Sequence, residues 1–257
     1  MKKKTKQILG LALGAVALQG VLAHLAFSGK LTKGNGKQYD LSNTERKQGS
    51  VLKGKKIIFL GSSVTYGSAA MGVSFVDYLE RMDEIIPYKY ALSGTTLVDE
   101  KVKGRASYIE RMKHIDKTIK ADLFVCQLST NDATLKKPLG EIAKTDDFDT
   151  KTIAGAIEYI IAYVRNTFKC PILFYTGTKY ESPYYERMID LLYQIKDKWN
   201  IEILDLWHDE EMNAVSKKDY ALYMVNGIHP SKAGYRDWWT PKFEEKLKAI
   251  FEGNKNE

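Results

Sequence analysis

Cysteine and histidine are scarce in this chain of 257 residues, which has two of the former and four of the latter. Cys126 and Cys170 each fall inside a predicted strand, and aligning those strands by their carboxyl ends offsets the thiols by about three residues, roughly 10 Å. That separation is too large for a disulfide, so both are expected to be buried free thiols. His24, His114 and His208 have no second histidine or cysteine at ligand spacing, so no metal site is predicted.

The sequence also lacks features typical of two classes of binding protein, those that bind nucleic acids and those that bind nucleotides. The formal net charge is +7, but four lysines lie in the first six residues and the remainder carries only +3. Because no stripe of basic residues is interleaved with aromatic ones, a nucleic-acid partner is not expected. Residues 61–67 also lack the glycine density and the lysine of a phosphate-binding loop, so a flavodoxin-like nucleotide binder is the weaker alternative.

The longest apolar run directly follows those lysines. Residues 7–27 contain no acidic or basic side chain apart from His24, and a helix of about 20 residues is long enough to cross a bilayer. We therefore predict a basic cytoplasmic tail over residues 1–6 and a single-pass membrane anchor over 7–27, with the globular part outside the cytoplasm. A cleaved secretory signal, which would make the protein secreted, and a buried core helix are the alternatives.

Residues 28–52 contain several glycines and lysines and little apolar surface, so they are expected to form a loosely attached linker. The remaining residues, 53–257, suit one domain with a substantial core. Five short apolar segments alternate there with segments of helical periodicity, and they cover residues 57–60, 88–94, 122–129, 170–177 and 201–207. This alternation predicts an α/β fold, a three-layer α/β/α sandwich around a five-stranded parallel sheet.

Helix boundaries are predicted from proline and capping residues. The signals are Pro87 as the end of the helix after the first strand, Thr150 and Ser182-Pro183 as helix starts, Ser231 as the cap of the last helix, and Pro241 as a kink within it.

Polar or small residues follow three of the strands. Ser63 follows the first, Gly94 the second and Asn131 the third, whereas His229 stands in the loop before the last helix. The carboxyl ends of parallel strands meet at one edge of a sheet. A serine hydroxyl and an imidazole at that edge could act as nucleophile and general base, with the Asn131 amide and backbone N–H groups meeting an oxyanion. The alternative is that Ser62 and Ser63 only cap the following helix.

Four blocks of sequence together resemble the SGNH hydrolase superfamily, the GDSL-type esterases and lipases. They are Gly61-Ser62-Ser63, Ser93-Gly94, Ser129-Thr130-Asn131-Asp132 and Asn226-Gly227-Ile228-His229-Pro230. The resemblance covers nearly all of the globular part. It implies that Ser63 is the nucleophile and His229 the base, and that Ser63, Gly94 and Asn131 form the oxyanion hole. It also implies the flavodoxin-like strand order 2-1-3-4-5 and no cofactor.

The chain departs from the family pattern at Ser62, where the family usually has aspartate, and more seriously at Asn226. The last block normally begins with an aspartate that orients the histidine and stabilises its charged form. Replacing the equivalent aspartate by asparagine in serine proteases costs about 10⁴ in rate. Asn226 is therefore expected to orient His229 in a Ser-His dyad or weakened triad, and Asp205 is a less favoured substitute for the missing carboxylate.

The sequence thus predicts a serine ester hydrolase that acts outside the cytoplasm on a small-molecule, glycan or lipid ester. One alternative is an acyltransferase or deacetylase acting on cell-envelope glycans. Another, suggested by Asn226, is a degenerate member that binds ester or glycan ligands without turnover.

Overall fold

The computed structural model describes residues 32–253. The predicted tail over 1–6, the predicted anchor over 7–27 and the first residues of the predicted linker lie outside this range. Within it, no helix has both the length and the apolar character that a bilayer crossing requires.

A five-stranded parallel sheet forms the centre of the domain. Its strands are β1 (Lys56–Gly61), β2 (Ile86–Ala91), β3 (Leu123–Gln127), β4 (Ile172–Tyr175) and β5 (Glu202–Leu204). Their spatial order is β2-β1-β3-β4-β5, and every neighbouring pair is parallel. The predicted sheet and strand order are therefore confirmed.

Helices cover both faces of the sheet. They are α1 (Ser63–Tyr66), α2 (Phe75–Asp83), α3 (Tyr108–Lys113), α4 (Thr130–Thr134), α5 (Ile153–Thr167), α6 (Pro183–Trp199), α7 (Glu210–Asn213), α8 (Lys217–Tyr223) and α9 (Thr240–Gly253), with a π-helical turn at Gly234–Trp239. Because side chains alternate along a strand, Ile58 and Leu60 pack with α3, α5 and α6, whereas Ile57 and Phe59 pack with α2 and α9. The three-layer sandwich is confirmed, and Cys126 and Cys170 are buried free thiols as predicted.

The predictions made from Pro87, Thr150 and Pro241 differ from the structure. Pro87 does not close α2 but lies inside β2, an edge strand, where its missing N–H is tolerated. Thr152, not Thr150, caps α5 by accepting a hydrogen bond from Gly155 N–H at 3.2 Å. Pro241 is the second residue of α9, and the irregular π turn comes before it.

Two predicted caps are confirmed. Ser182 accepts a hydrogen bond from Tyr185 N–H at the start of α6, with Pro183 as the first helical residue. Ser231 accepts one from Gly234 N–H at 3.2 Å, where the chain enters the π turn.

The described part of the predicted linker, residues 32–52, is docked on the domain and not loosely attached. It forms 3₁₀ turns at Lys33–Asn35, Lys37–Tyr39 and Leu41–Asn43. The Tyr78 hydroxyl donates to the Tyr39 carbonyl, and the Arg81 guanidinium donates to two carbonyls of the segment. Because polar side chains of the domain bind backbone carbonyls of the segment, the segment docks with little apolar surface of its own. Its composition therefore gives no sign that it docks.

Candidate active site

The turn after β1 presents Ser63. The strand ends at Gly61, Ser62 has φ −114° and ψ −138°, which is neither helical nor regular extended backbone, and Ser63 opens the short helix α1. As the first residue of a helix, Ser63 has no carbonyl of that helix to receive its N–H. Ser63 as a residue is only 6% exposed, so neighbouring protein groups determine the contacts of its hydroxyl.

Gln127 holds this turn from the end of β3. Its Oε1 atom accepts from Ser62 N–H and from the Thr65 hydroxyl, both at 2.9 Å, with longer contacts to the Ser62 hydroxyl and Thr65 N–H. Because the Thr65 proton is used on Gln127, the Tyr175 hydroxyl is the donor in its 2.6 Å contact with Thr65. One buried amide therefore fixes the residues on both sides of Ser63.

His229 reaches Ser63 from the far end of the chain. Met224 and Pro230 form an antiparallel bridge, and Val225 N–H donates to the His229 carbonyl at 2.9 Å, which closes the loop around the histidine. The His229 Nε2 atom lies 2.8 Å from Ser63 Oγ. Burial disfavours the imidazolium and lowers the pKa of His229 to about 4.

Asn226 contacts the other nitrogen of the His229 ring. Its Oδ1 atom lies 3.0 Å from His229 Nδ1 and accepts from the backbone N–H groups of Ile228 and His229, each at 3.0 Å. Two backbone donors on one atom identify it as the amide oxygen. His229 Nδ1 must then carry the proton, which leaves Nε2 as the acceptor for the Ser63 hydroxyl.

Asp205 does not replace the missing carboxylate. Its side chain lies 2.7 Å from His208 Nδ1 and accepts hydrogen bonds from the hydroxyls of Thr176 and Tyr193, both at 2.9 Å. The acceptor on His229 Nδ1 is a neutral amide, which orients the ring but supplies no full negative charge.

The loop after β2 lies beside the nucleophile turn. Leu92 N–H donates to the Gly61 carbonyl at 3.2 Å, and the Ser68 and Ser93 hydroxyls are hydrogen-bonded. Gly94 has φ +74°, a backbone conformation that favours glycine. A Cβ atom there would lie 2.6 Å from Nη1 of Arg105, the end of a flexible side chain that can move aside.

Asn131 and Asp132 fasten that loop to α4. The Asn131 Nδ2 atom donates to the Thr95 carbonyl at 2.9 Å. The fully buried Asp132 carboxylate accepts from Leu97 N–H at 2.9 Å and from Val98 N–H at 3.1 Å. Burial raises the pKa of Asp132 to about 6, although these donors oppose the shift.

Arg111 joins the strands to the same loop. Its guanidinium donates to the carbonyls of Tyr90 at 2.6 Å and Gly61 at 2.9 Å, and to the Thr95 hydroxyl at 3.0 Å. Burial lowers its pKa, but a guanidinium stays protonated at neutral pH. A positive charge therefore lies between the end of β1 and the Gly94 loop.

Four of the predicted site residues thus lie at the carboxyl edge of the sheet: Ser63, Gly94, Asn131 and His229, with Asn226 behind the histidine. Gln127 and Arg111 were missed by sequence reasoning. A glutamine in an otherwise apolar strand was a usable signal for the first, whereas nothing in the local sequence points to the second. Within residues 32–253, no cluster of three or more His, Cys, Asp or Glu side chains is placed to hold a metal ion.

A model of the GDSL-like lipase/acylhydrolase family matches residues 59–236. No curated protein matches the chain. Among solved structures, a protein from Lactobacillus plantarum is similar at 21% identity and a TM-score of 0.63, over 78% of this chain and 98% of that one.

Two further structures are similar at 17% identity. One, from Bacteroides ovatus and described as a GDSL-like lipase, has a TM-score of 0.56 over 78% of this chain and 99% of that chain. The other is a variant of an acetyl-xylooligosaccharide esterase from Geobacillus, with a TM-score of 0.54 over 77% of this chain and 96% of that chain. At these identities the structural similarity supports the fold.

Proposed function

This chain belongs to the GDSL-like lipase/acylhydrolase family and is a carboxylic-ester hydrolase, and on that premise we propose that it works through an acyl-enzyme formed on Ser63. The observation that carries the proposal is the 2.8 Å contact between Ser63 Oγ and His229 Nε2. It is the distance at which a general base can take a hydroxyl proton.

In the first half-reaction Ser63 Oγ attacks the ester carbonyl while His229 Nε2 takes its proton. The tetrahedral intermediate collapses with loss of the alcohol, which receives that proton from His229. In the second half-reaction His229 removes a proton from water, the resulting hydroxide displaces the acyl group, and Ser63 recovers its proton.

The developing oxyanion is stabilised by the N–H groups of Ser63 and Gly94 and by the Asn131 amide. An amide nitrogen carries two hydrogens, and one from Asn131 is used on the Thr95 carbonyl. The second is a donor for the oxyanion. Each such donor contributes about 10² to 10³ in rate in related acyl-transfer sites.

Asn226 completes a triad of reduced strength. It fixes the productive tautomer of His229, which is one of the two roles of an aspartate in this position. It does not neutralise the imidazolium that forms during the reaction, so the rate is below that of an aspartate-containing site.

We further propose that the substrate is a small-molecule or glycan ester carrying a short acyl group such as acetyl, and that the domain acts outside the cytoplasm next to a membrane. The similarity to an acetyl-xylooligosaccharide esterase supports the acyl group. The lysine cluster and apolar run of residues 1–27 support the location. The one competing function with an observation behind it is ligand binding without turnover, which rests on the neutral Asn226.

A chromogenic acetyl ester and a serine-reactive fluorophosphonate test the proposal together. We expect turnover by the full-length protein, loss of turnover in Ser63→Ala, and labelling that maps to Ser63. Ser42→Ala, an exposed serine in the docked segment, serves as the control and keeps both activities. Equal turnover in Ser63→Ala and the parent contradicts the proposal, and absence of both turnover and labelling in the parent supports the binding function.

A further inference from the structure

Through one side chain, the docked segment that precedes the domain contacts the backbone near both halves of the active site. Asn35 is 8% exposed. Its Nδ2 atom donates to the Ala69 carbonyl at 2.8 Å, and its Oδ1 atom accepts from Lys232 N–H at 2.7 Å. Ala69 lies six residues after Ser63, and Lys232 lies three residues after His229.

Both partners of Asn35 are backbone groups close to the functional side chains. Ala69 belongs to the 3₁₀ turn Ser68–Ala70, which continues directly from α1 and Gly67. Lys232 follows Pro230 and begins the turn into the last helical segment. A carboxamide offers a donor and an acceptor on two separate atoms without charge, so the one side chain of Asn35 can join these two backbones.

Gly34 brings the segment close enough for this bridge. A Cβ atom at Gly34 would lie 2.0 Å from the Leu222 carbonyl and 2.3 Å from the Ser231 hydroxyl. The Ser231 hydroxyl itself donates to the Leu222 carbonyl at 2.7 Å, across the base of the loop that carries His229. An ion pair between the Lys232 ammonium and the Asp40 carboxylate holds the segment on its other side.

The loop that carries His229 needs such support because it is outside the sheet. It lies between α8 and the π turn, whereas Ser63 follows a central strand. One direct hydrogen bond joins the π turn after the His229 loop to the helix that carries Ser63: the Tyr235 hydroxyl donates to the Val64 carbonyl at 2.7 Å. Asn35 adds a second tie from a segment that lies outside the family match of residues 59–236.

We propose that Asn35 is a positioning residue that sets the separation of Ser63 and His229. The inference rests on the proposed function of that pair. The segment 32–44 is then a structural part of the active site. A misplacement of about 1 Å at reacting groups costs up to about a hundredfold in rate, so a loss of this tie is visible in turnover.

The test compares three variants of the full-length protein. Asn35→Ala removes both hydrogen bonds. Asn35→Asp keeps an acceptor for Lys232 N–H and loses the donor to the Ala69 carbonyl. Asn43→Ala is the matched control, because Asn43 lies in the same segment and its exposed amide donates to the Lys37 carbonyl at 2.7 Å, within the segment itself.

For Asn35→Ala we expect kcat to fall on the order of tenfold to a hundredfold with KM changed by less than about twofold. We expect Asn35→Asp to lie between the parent and Asn35→Ala, and Asn43→Ala to match the parent. Loosening the loop also admits water to His229, so the acid limb of kcat/KM moves to higher pH in Asn35→Ala. A purely structural role would lower the folded fraction without moving that limb.

Amide hydrogen exchange provides a readout that does not depend on turnover. In Asn35→Ala the exchange of Lys232 N–H and of residues 67–72 is expected to rise while the strands of the sheet stay protected. Unchanged exchange at these amides overturns the inference whether or not the protein hydrolyses esters. An unchanged kcat, or a kcat loss that merely follows the loss of folded protein, also overturns it, and neither affects the role of Ser63.

Discussion

Asn226 presents its carbonyl oxygen, not its amide nitrogen, to Nδ1 of His229 at a distance of 3.0 Å. The backbone N–H groups of Ile228 and His229 donate to the same oxygen and hold it in this orientation. Loss of the aspartate in serine proteases is costly mainly because the histidine takes the wrong tautomer. Here the tautomer is preserved, so the penalty for the asparagine is confined to the missing charge.

Asn226→Asp is expected to raise kcat/KM at neutral pH by about tenfold or more, though by less than the roughly 10⁴ seen when the tautomer is also lost. The carboxylate keeps the three contacts of Oδ1 and stabilises the imidazolium formed during the reaction. It also raises the pKa of His229. Steady-state kinetics with an acetyl ester measures the change, with Asn226→Ala as a control that loses activity. An unchanged rate in Asn226→Asp would mean that charge on His229 does not limit the reaction.

The pH dependence of kcat/KM follows from the burial of His229. Because burial lowers the pKa of His229 to about 4, the ring stays neutral and able to accept a proton well below its ordinary value of about 6.5. We expect kcat/KM to hold down to about pH 5 and to fall near pH 4. An acid limb near pH 6.5 would show that the ring is solvated in solution.

The same shift makes the free energy of unfolding depend on pH. The unfolded chain takes up a proton at His229 below about pH 6.5, whereas the folded protein does so only near pH 4. The contribution of His229 is therefore fully present above pH 6.5 and is lost as the pH falls toward 4. Denaturant unfolding of the parent and of His229→Ala at pH 7 and pH 5 isolates it, and equal pH slopes for the two proteins would contradict the shift.

Gln127→Leu is expected to lower the free energy of unfolding by about 2 to 4 kcal/mol, because it leaves the buried donors of Ser62 and Thr65 without their acceptor. Turnover should fall beyond the loss of folded protein, since the turn that presents Ser63 is no longer fixed. Chemical denaturation and kinetics on the same sample measure both. Gln194→Leu, at an exposed position of α6, should change stability by less than about 0.5 kcal/mol. Similar effects of the two substitutions would refute the role of Gln127.

Arg111→Lys is expected to reduce kcat about tenfold or more, because an ammonium cannot reproduce the fork that reaches Tyr90, Gly61 and Thr95 together. The Gly94 loop would then keep the hydrogen bond from Leu92 N–H to the Gly61 carbonyl but lose the link that the Arg111 guanidinium makes to the end of β1. Kinetics with an acetyl ester measures the effect, and Arg187→Lys at an exposed site of α6 is the control. Full activity in Arg111→Lys would show that charge alone, without the fork, is sufficient.

The central fold could be predicted because its signals are local. Buried parallel strands are short apolar runs, and the alternation with helical periods dictates a covered parallel sheet. Ser63, Gly94 and Asn131 were found for the same reason, since each directly follows such a run. His229 was proposed because its loop precedes the last helix, which can return to the same edge of the sheet, and the resemblance of its block to a known family supported that role.

The supporting residues could not be predicted, because their partners are distant backbone groups. Arg111 binds carbonyls at the ends of β1 and β2, and Asn35 binds backbone groups of Ala69 and Lys232. No local pattern of hydrophobicity predicts these contacts. Pro87 was misplaced for a related reason: a proline usually ends an element, but at the edge of a sheet its missing N–H has no partner to lose.

The docking of residues 33–43 determines how a shortened form of this enzyme should be prepared. A cut at residue 53, where the composition changes, would remove Gly34 and Asn35 and leave Lys232 N–H and the Tyr78 hydroxyl without their acceptors. Purified material of that kind would have a lower specific activity for reasons unrelated to Ser63. A shortened protein should therefore start upstream of Lys33, so that it retains all of residues 33–43.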